Sequence, residues 1–260
     1  MKTIALLTDF GLTDNFVGVM KGVILKINSR VRLVDITHQV AAHDIAEAAF
    51  LLKGSYKYFP RGTIFLVVVD PGVGSKRRPI IIRSKNYLFV GPDNGVLEPA
   101  ACADGIREIV AIENKRYFLK PVSGTFHGRD IFAPVAAYLS KGQKPNVFGR
   151  LLDSLKQSGI PLPEVSKGTL KGEVVYIDRF GNLVTNIDEG LFKHFRRNKK
   201  FKIKIKDTKI DSLAGSYEAV RPGKPLAIFG SFGSLEISVN KGRAEKYFCA
   251  ERGLAVKILL

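Results

Sequence analysis

Cysteine is almost absent from this chain of 260 residues. Cys102 and Cys249 stand far apart without Cys-x-x-Cys spacing, which excludes a disulfide framework and a structural zinc site. No apolar run reaches the roughly 18 residues of a membrane-spanning helix, because charge or glycine interrupts each one first. Met1-Lys2 leads straight into a strand pattern rather than a secretory apolar region. A soluble, cytoplasmic protein is therefore expected. Internal repeats and low-complexity tracts are lacking too. Acidic residues are scarce beside basic ones, 24 against 41, for a net charge of +17.

That charge raises the question of nucleic acid, since clustered cations are the footprint of phosphate binding. Its distribution argues otherwise. Much of the excess falls at Lys193, Arg196, Arg197, Lys199 and Lys200, and then at Lys202, Lys204 and Lys206, which alternate with Phe201, Ile203 and Ile205. The alternation describes one strand with a lysine-coated solvent face, a common way to blunt a sheet edge. No helix-turn-helix, RNA-recognition, KH or zinc-finger signature accompanies it. A nucleic-acid partner is not expected.

With 45% hydrophobic residues the chain can bury a sizeable core, as two domains or as one with an appendage. Thr3 to Leu7 reads as a buried strand, and Phe16, Val17, Met20, Val23, Ile24 and Ile27 recur at helical spacing. Between them lie Asp9, at a strand end, and Thr13-Asp14, natural helix caps. Strands at 31–36 and 64–69, with a helix at 44–52 between them, complete a βαβαβ order, the pattern of a parallel sheet. A hairpin turning at Lys85-Asn86, a turn-rich loop at 91–95, a strand at 107–112 and a helix from about Ile131 to Leu139 follow. Residues 151–169 have linker composition, dividing an α/β domain (1–150) from a smaller all-β barrel or sandwich (170–260).

The stretch VVVDPGVGSKRRP, Val67 to Pro79, holds the strongest chemical signal. A continuous apolar strand places Asp70 at its carboxyl end, where open α/β sheets bind ligands. Gly72 and Gly74 let backbone approach closely, and Lys76, Arg77 and Arg78 return positive charge. A surface turn with a local ion pair fits the same residues. His127 lies in a glycine-flanked loop before a helix, and Asp178-x-x-Gly-Asn182 has the composition of a hairpin turn. Glu236 is an acid inside a strand pattern.

Five stretches read together: TDFG with Asp14, DPGVGSKR at 70–77, GTFHGRD at 124–130, IDRFGNLVTN at 177–186 and SFGSLEISVNKG at 231–242. In this order they resemble the S-adenosylmethionine hydroxide adenosyltransferases, hydrolase relatives of fluorinase and chlorinase, across nearly the whole chain. The resemblance implies hydrolysis of S-adenosyl-L-methionine to adenosine and L-methionine, with water attacking the ribose 5′ carbon and no metal or other cofactor. It implies a catalytic Asp70, Arg77 and His127. Asp9 would take the ribose hydroxyls, and Asp14 and Asp178 would lie near the methionine amine. Ser231 and Glu236 would complete the polar contacts, and Asn182 and the backbone near Val239 would meet adenine. A homotrimer with sites at subunit interfaces is implied as well. The halogenases carry Tyr in place of Asp70 and Ser in place of Gly128, and have a long insertion at the Lys85-Asn86 turn. The arginine they place at the methionine carboxylate is Phe232 here.

Two other readings use the same residues. Asp9, His38, His43, Asp44, Asp70 and His127 could gather a metal for a phosphoesterase, or the pocket could serve a non-catalytic nucleoside-binding regulator.

Overall fold

The computed structural model describes residues 1–260, which form two compact units, Met1–Gly159 and Ile160–Leu260. The first runs β1 (Thr3–Thr8), α1 (Phe16–Ile27), β2 (Arg32–Thr37), α2 (Ile45–Ser55), β3 (Ile64–Val68), β4 (Pro79–Ser84), β5 (Leu88–Pro92), α3 (Glu98–Asp104), β6 (Ile106–Ala111) and α4 (Ala133–Ser140). Its six-stranded sheet has the order β2-β1-β3-β5-β4-β6. β1, β2, β3 and β5 are parallel, while β4 runs antiparallel to β5 and β6.

Alternation along the central strands supplies two cores. Ile4, Leu6, Ile64, Leu66 and Val68 face α1 and α4, whereas Ala5, Leu7, Phe65, Val67 and Val69 face α2 and α3. Both strands are buried throughout, which is why they read as unbroken apolar runs. From β1 the chain steps outward to β2 and then crosses back to β3 on the other side. The carboxyl ends of β1 and β3 thus flank a reversal of strand order, where such sheets open a crevice.

The second unit contains β7 (Glu164–Ser166), β8 (Thr169–Ile177), β9 (Leu183–Asp188), α5 (Glu189–Arg196), β10 (Lys202–Ile205), β11 (Thr208–Ile210), β12 (Pro225–Phe229), β13 (Ser234–Val239), α6 (Ala244–Tyr247) and β14 (Ala255–Leu259). All its pairings are antiparallel, in the order β11-β10-β14-β8-β9-β13-β12, with β7 beside the start of β8. The Ala214 N–H donates to the Ala227 carbonyl at 2.8 Å, drawing the two ends of this order together into a nearly closed barrel. Leu170, Ile203, Ile205, Ile237 and Ile258 fill it.

Several details differ from the sequence reading. The Lys202–Ile205 strand is not an edge, since β10 lies between β11 and β14. α1 begins at Phe16 with Asn15 at its cap position, and Asp14 makes no capping bond. α3 and α5 were not anticipated; Pro99 in the first turn masks the former, and a run of cations masks the latter. Arg78, one of the three cations at positions 76–78, donates from Nε to the buried Asp93 carboxylate at 2.9 Å. The stretch of linker composition is shared between the units, with Leu152 and Leu155 packed on the first unit's core and Glu164–Ser166 paired with β8.

Candidate active site

A cleft of about 270 Å³ opens over the carboxyl ends of β1 and β3 and is lined by Asp9, Phe10, Phe16, His43, Asp70, Phe126 and His127 among others. Asp70 follows β3, where Pro71 and Gly72 turn the chain back so that Arg77 faces it. The Arg77 Nε lies 2.9 Å from both Asp70 oxygens, and Nη2 donates again to Oδ2. The Asp70 side chain is 5% exposed and that of Arg77 10%, so this is a desolvated fork. The guanidinium also lies 5.1 Å over the Phe132 ring.

The same Nη2 reaches His127 Nδ1 at 2.9 Å. A guanidinium only donates, so Nδ1 is the acceptor, and a neutral His127 carries its proton on Nε2. Burial first, then the adjacent Arg77 charge, push the imidazole below its ordinary pKa, against the weaker pull of Asp70 and Asp130. His127 enters from a single π-helical turn, Gly128–Phe132, ahead of α4, a device common at functional sites. Gly74, at φ +75, is essential here: a Cβ would fall 2.3 Å from the Gly124 carbonyl oxygen. Its absence lets the Asp70 loop press against the His127 loop.

Asp9 ends β1 and accepts the His43 N–H at 2.9 Å, holding His43 at φ 68 on the cleft wall. Phe10, Phe16 and Phe126 form a three-ring cluster with centroids 5.4–5.9 Å apart, giving the cleft an apolar side. Asp14 is exposed and does not line this cleft. Of the residues considered for a metal, His38 bonds Thr8 and Asp44 caps α2. No group of three or more His, Cys, Asp or Glu side chains is arranged to hold an ion.

The second unit carries a cleft of about 630 Å³. Asp178, Asn182, Ser231, Glu236 and Val239 all line it. Asp178 closes the turn after β8: Oδ1 accepts from the Phe180 and Asn182 backbone, and Oδ2 accepts the Asn182 side-chain amide at 2.9 Å. This is hairpin-turn chemistry that also aims a carboxylate and an amide into the cleft. Glu236, 4% exposed, accepts from Ser238 at 2.7 Å and from Tyr217 at 2.9 Å. Burial, and then that bond, push the Tyr217 phenol up to about 12. Gly230 makes room for the carboxylate, since a Cβ there would lie 2.5 Å from Glu236 Oε2.

Sequence reasoning missed Tyr217, Lys241 and Arg243, which share this cleft. Tyr217 sits in a short 3-10 turn of the long β11–β12 connection, with no periodicity to mark it. Lys241 and Arg243 flank Gly242 just beyond β13, and only Gly242's tight approach to Val239 hints at a shaped wall.

Fold and clefts define a class: an α/β unit with an acid–arginine–histidine chain at its strand-order reversal, and an antiparallel barrel with a polar cleft ringed by Asp, Asn, Glu and Tyr. Family comparison narrows it. The N-terminal-domain model of the SAM hydroxide adenosyltransferases matches residues 4–149, and the C-terminal-domain model matches residues 172–257. The chain belongs to this family. It is 34% identical over 266 residues to the (R)-S-adenosyl-L-methionine hydrolase of Thermus thermophilus, covering 100% of both chains. It is 40% identical to that of Methanocaldococcus jannaschii, over 75% of this chain and 71% of the relative. A fluorinase from an Actinoplanes species is 30% identical over 71% of each. Among solved structures, an uncharacterized conserved protein from Thermotoga maritima superposes with a TM-score of 0.92 at 39% identity, covering 99% of this chain and 100% of that one.

Proposed function

We propose that this protein hydrolyses S-adenosyl-L-methionine to adenosine and L-methionine, by attack of an activated water on the ribose 5′ carbon. The observation that carries the reading is the Asp70–Arg77–His127 chain, desolvated in a cleft with one phenylalanine wall. Full-length relatives named as hydrolases of this sulfonium support the substrate.

The leaving group is a neutral thioether, so the reaction calls for an oriented nucleophile rather than a general acid. Within the chain of three, Arg77 only donates, and the His127 Nδ1 lone pair is taken up by Arg77. Asp70 is left as the proton acceptor, while the His127 Nε2–H can donate to the water oxygen and hold it in line. The water loses a proton to Asp70 as its oxygen bonds to carbon and the carbon–sulfur pair returns to sulfur. Arg77 holds the carboxylate and favours developing hydroxide. Phe10, Phe16 and Phe126 attract a sulfonium through their faces, an attraction that vanishes once sulfur is neutral and so favours release.

Asp9 binds the ribose hydroxyls. Asp178 and Asp14 take the ammonium group, Ser231 and Glu236 complete the polar contacts, and Asn182 and the Val239 backbone meet adenine. The enzyme works without metal or other cofactor, as a cytoplasmic homotrimer with substrate sites at subunit interfaces. No helix is long and apolar enough to cross a membrane.

The test is incubation with S-adenosyl-L-methionine in excess chelator, with chromatography of the products. Adenosine and methionine in equal amounts are expected. Intact ligand, or turnover abolished by chelator, would overturn the reading.

A further inference from the structure

The outer face of the barrel carries a pattern invisible along the chain. Lys209 on β11 lies directly opposite Lys204 on β10, Lys204 opposite Lys257 on β14, and Lys257 opposite Lys171 on β8. These are four neighbouring strands, so four lysines form a single row across the sheet. All four are exposed, and the alternate positions Ile203, Ile205, Val256 and Ile258 are wholly buried. At the spacing of adjacent strands the row spans about 14 Å.

Like charges directly opposite in a sheet destabilise it, and here the juxtaposition occurs three times in succession. One member is compensated: Lys171 Nζ lies 3.3 Å from Glu164 on β7. Lys204, Lys209 and Lys257 form no ion pair, although Glu173 stands two positions from Lys171 on the same face of β8. Edge protection accounts for a lysine on β11, but Lys204 and Lys257 stand on interior strands. An uncompensated row of this kind fits an external polyanion.

We propose that this row binds the sugar–phosphate backbone of single-stranded nucleic acid, without sequence preference. Lysine is depleted at protein–protein interfaces, which disfavours an acidic protein. The outside of a nearly closed barrel is convex, so a flat membrane or a rigid duplex would touch only part of the row. A flexible single strand can follow it. No aromatic ring belongs to the row, so bases are not read by stacking and phosphates carry the contact.

The experiment measures binding of a fluorescent oligouridylate to the intact protein by anisotropy across a salt series. Three to four phosphate contacts predict a slope of log K against log salt of about −2 to −3. The variant Lys204→Gln/Lys209→Gln/Lys257→Gln should lose about tenfold or more in affinity at low salt and most of the slope, with S-adenosyl-L-methionine turnover unchanged. Lys53→Gln/Lys57→Gln/Lys115→Gln removes the same charge from the first unit and should bind like the parent. Equal loss in both variants would show diffuse attraction, and tighter binding of inorganic polyphosphate or anionic vesicles would show another partner. Either result, or a slope near zero, overturns the proposal.

Discussion

An arginine that donates to a carboxylate and to an imidazole at once fixes what each of them can do. Lysine in its place offers a point charge without the fork, so it cannot span Asp70 and His127 together. Arg77→Lys is therefore expected to lower kcat by about 100-fold or more, the scale of a displaced catalytic group, with a smaller change in KM. Steady-state kinetics would show this, and parental turnover would remove Arg77 from the mechanism. Asp70→Ala should end hydrolysis yet leave ligand binding measurable by calorimetry. Because removing one partner of a buried pair costs about 3–5 kcal/mol, Asp70→Asn serves as the folded control and should be just as inactive. The imidazole adds a pH dependence whose sign follows from its environment. Burial and Arg77 hold the folded-state pKa of His127 below the ordinary value of about 6.5. The neutral ring therefore contributes stability that is present above pH 6.5 and is lost as pH falls through the folded value. Protonation also abolishes the Nδ1 acceptor and sets two cations side by side. An acid limb in kcat/KM is expected to begin only below about pH 6.5, and His127→Ala should lack it. A limb assigned to His127 above that value would contradict the geometry.

Two loops, not two helices or strands, hold these groups in register, and they meet at Gly74. Gly74→Ala places a methyl against the Gly124 carbonyl in a left-handed backbone. A loss of about 1–3 kcal/mol is expected from the conformation alone, visible as a lower Tm. A fall in kcat should accompany it, because the His127 loop has to move. Asp188, whose side chain caps α5 by accepting the Leu191 N–H at 2.8 Å, gives the contrast: Asp188→Ala should cost about 1 kcal/mol and leave kcat alone. This division also explains what the sequence made legible. β1 and β3 bury both faces, so apolar composition alone reveals them, and their carboxyl ends point to Asp9 and Asp70. Arg77 and His127 stand out through glycine-rich loops and family spacing. α3 has Pro99 in its first turn, and α5 is eight residues long with Lys193 and Arg196 set among its apolar positions, so composition hides both helices. Tyr217 reaches Glu236 across 19 positions, and the lysine row joins four strands through register. Contacts of that kind exist only once the chain has folded.

At the scale of the molecule the chemistry is divided. In the proposed reaction the first unit supplies the groups that act on water, and the second a carboxylate, an amide and a phenol suited to the polar ends of a ligand. A substrate that needs both sets couples them thermodynamically, so damage to either abolishes turnover. In the proposed homotrimer the sites lie at subunit interfaces, and a cyclic assembly repeats one heterologous contact three times. Asp70→Asn and Asp178→Ala would then impair different contributors to a shared site. Each variant alone is expected to be inactive. When the two are unfolded, mixed in equal amounts and refolded, random assembly pairs an intact first unit with an intact second unit in about a quarter of the interface sites. Turnover should recover to about that fraction of the parent, and sedimentation should give the mass of three chains. No recovery in a confirmed mixed trimer would mean that each chain completes its own site, and a monomer at working concentration would remove the interface altogether.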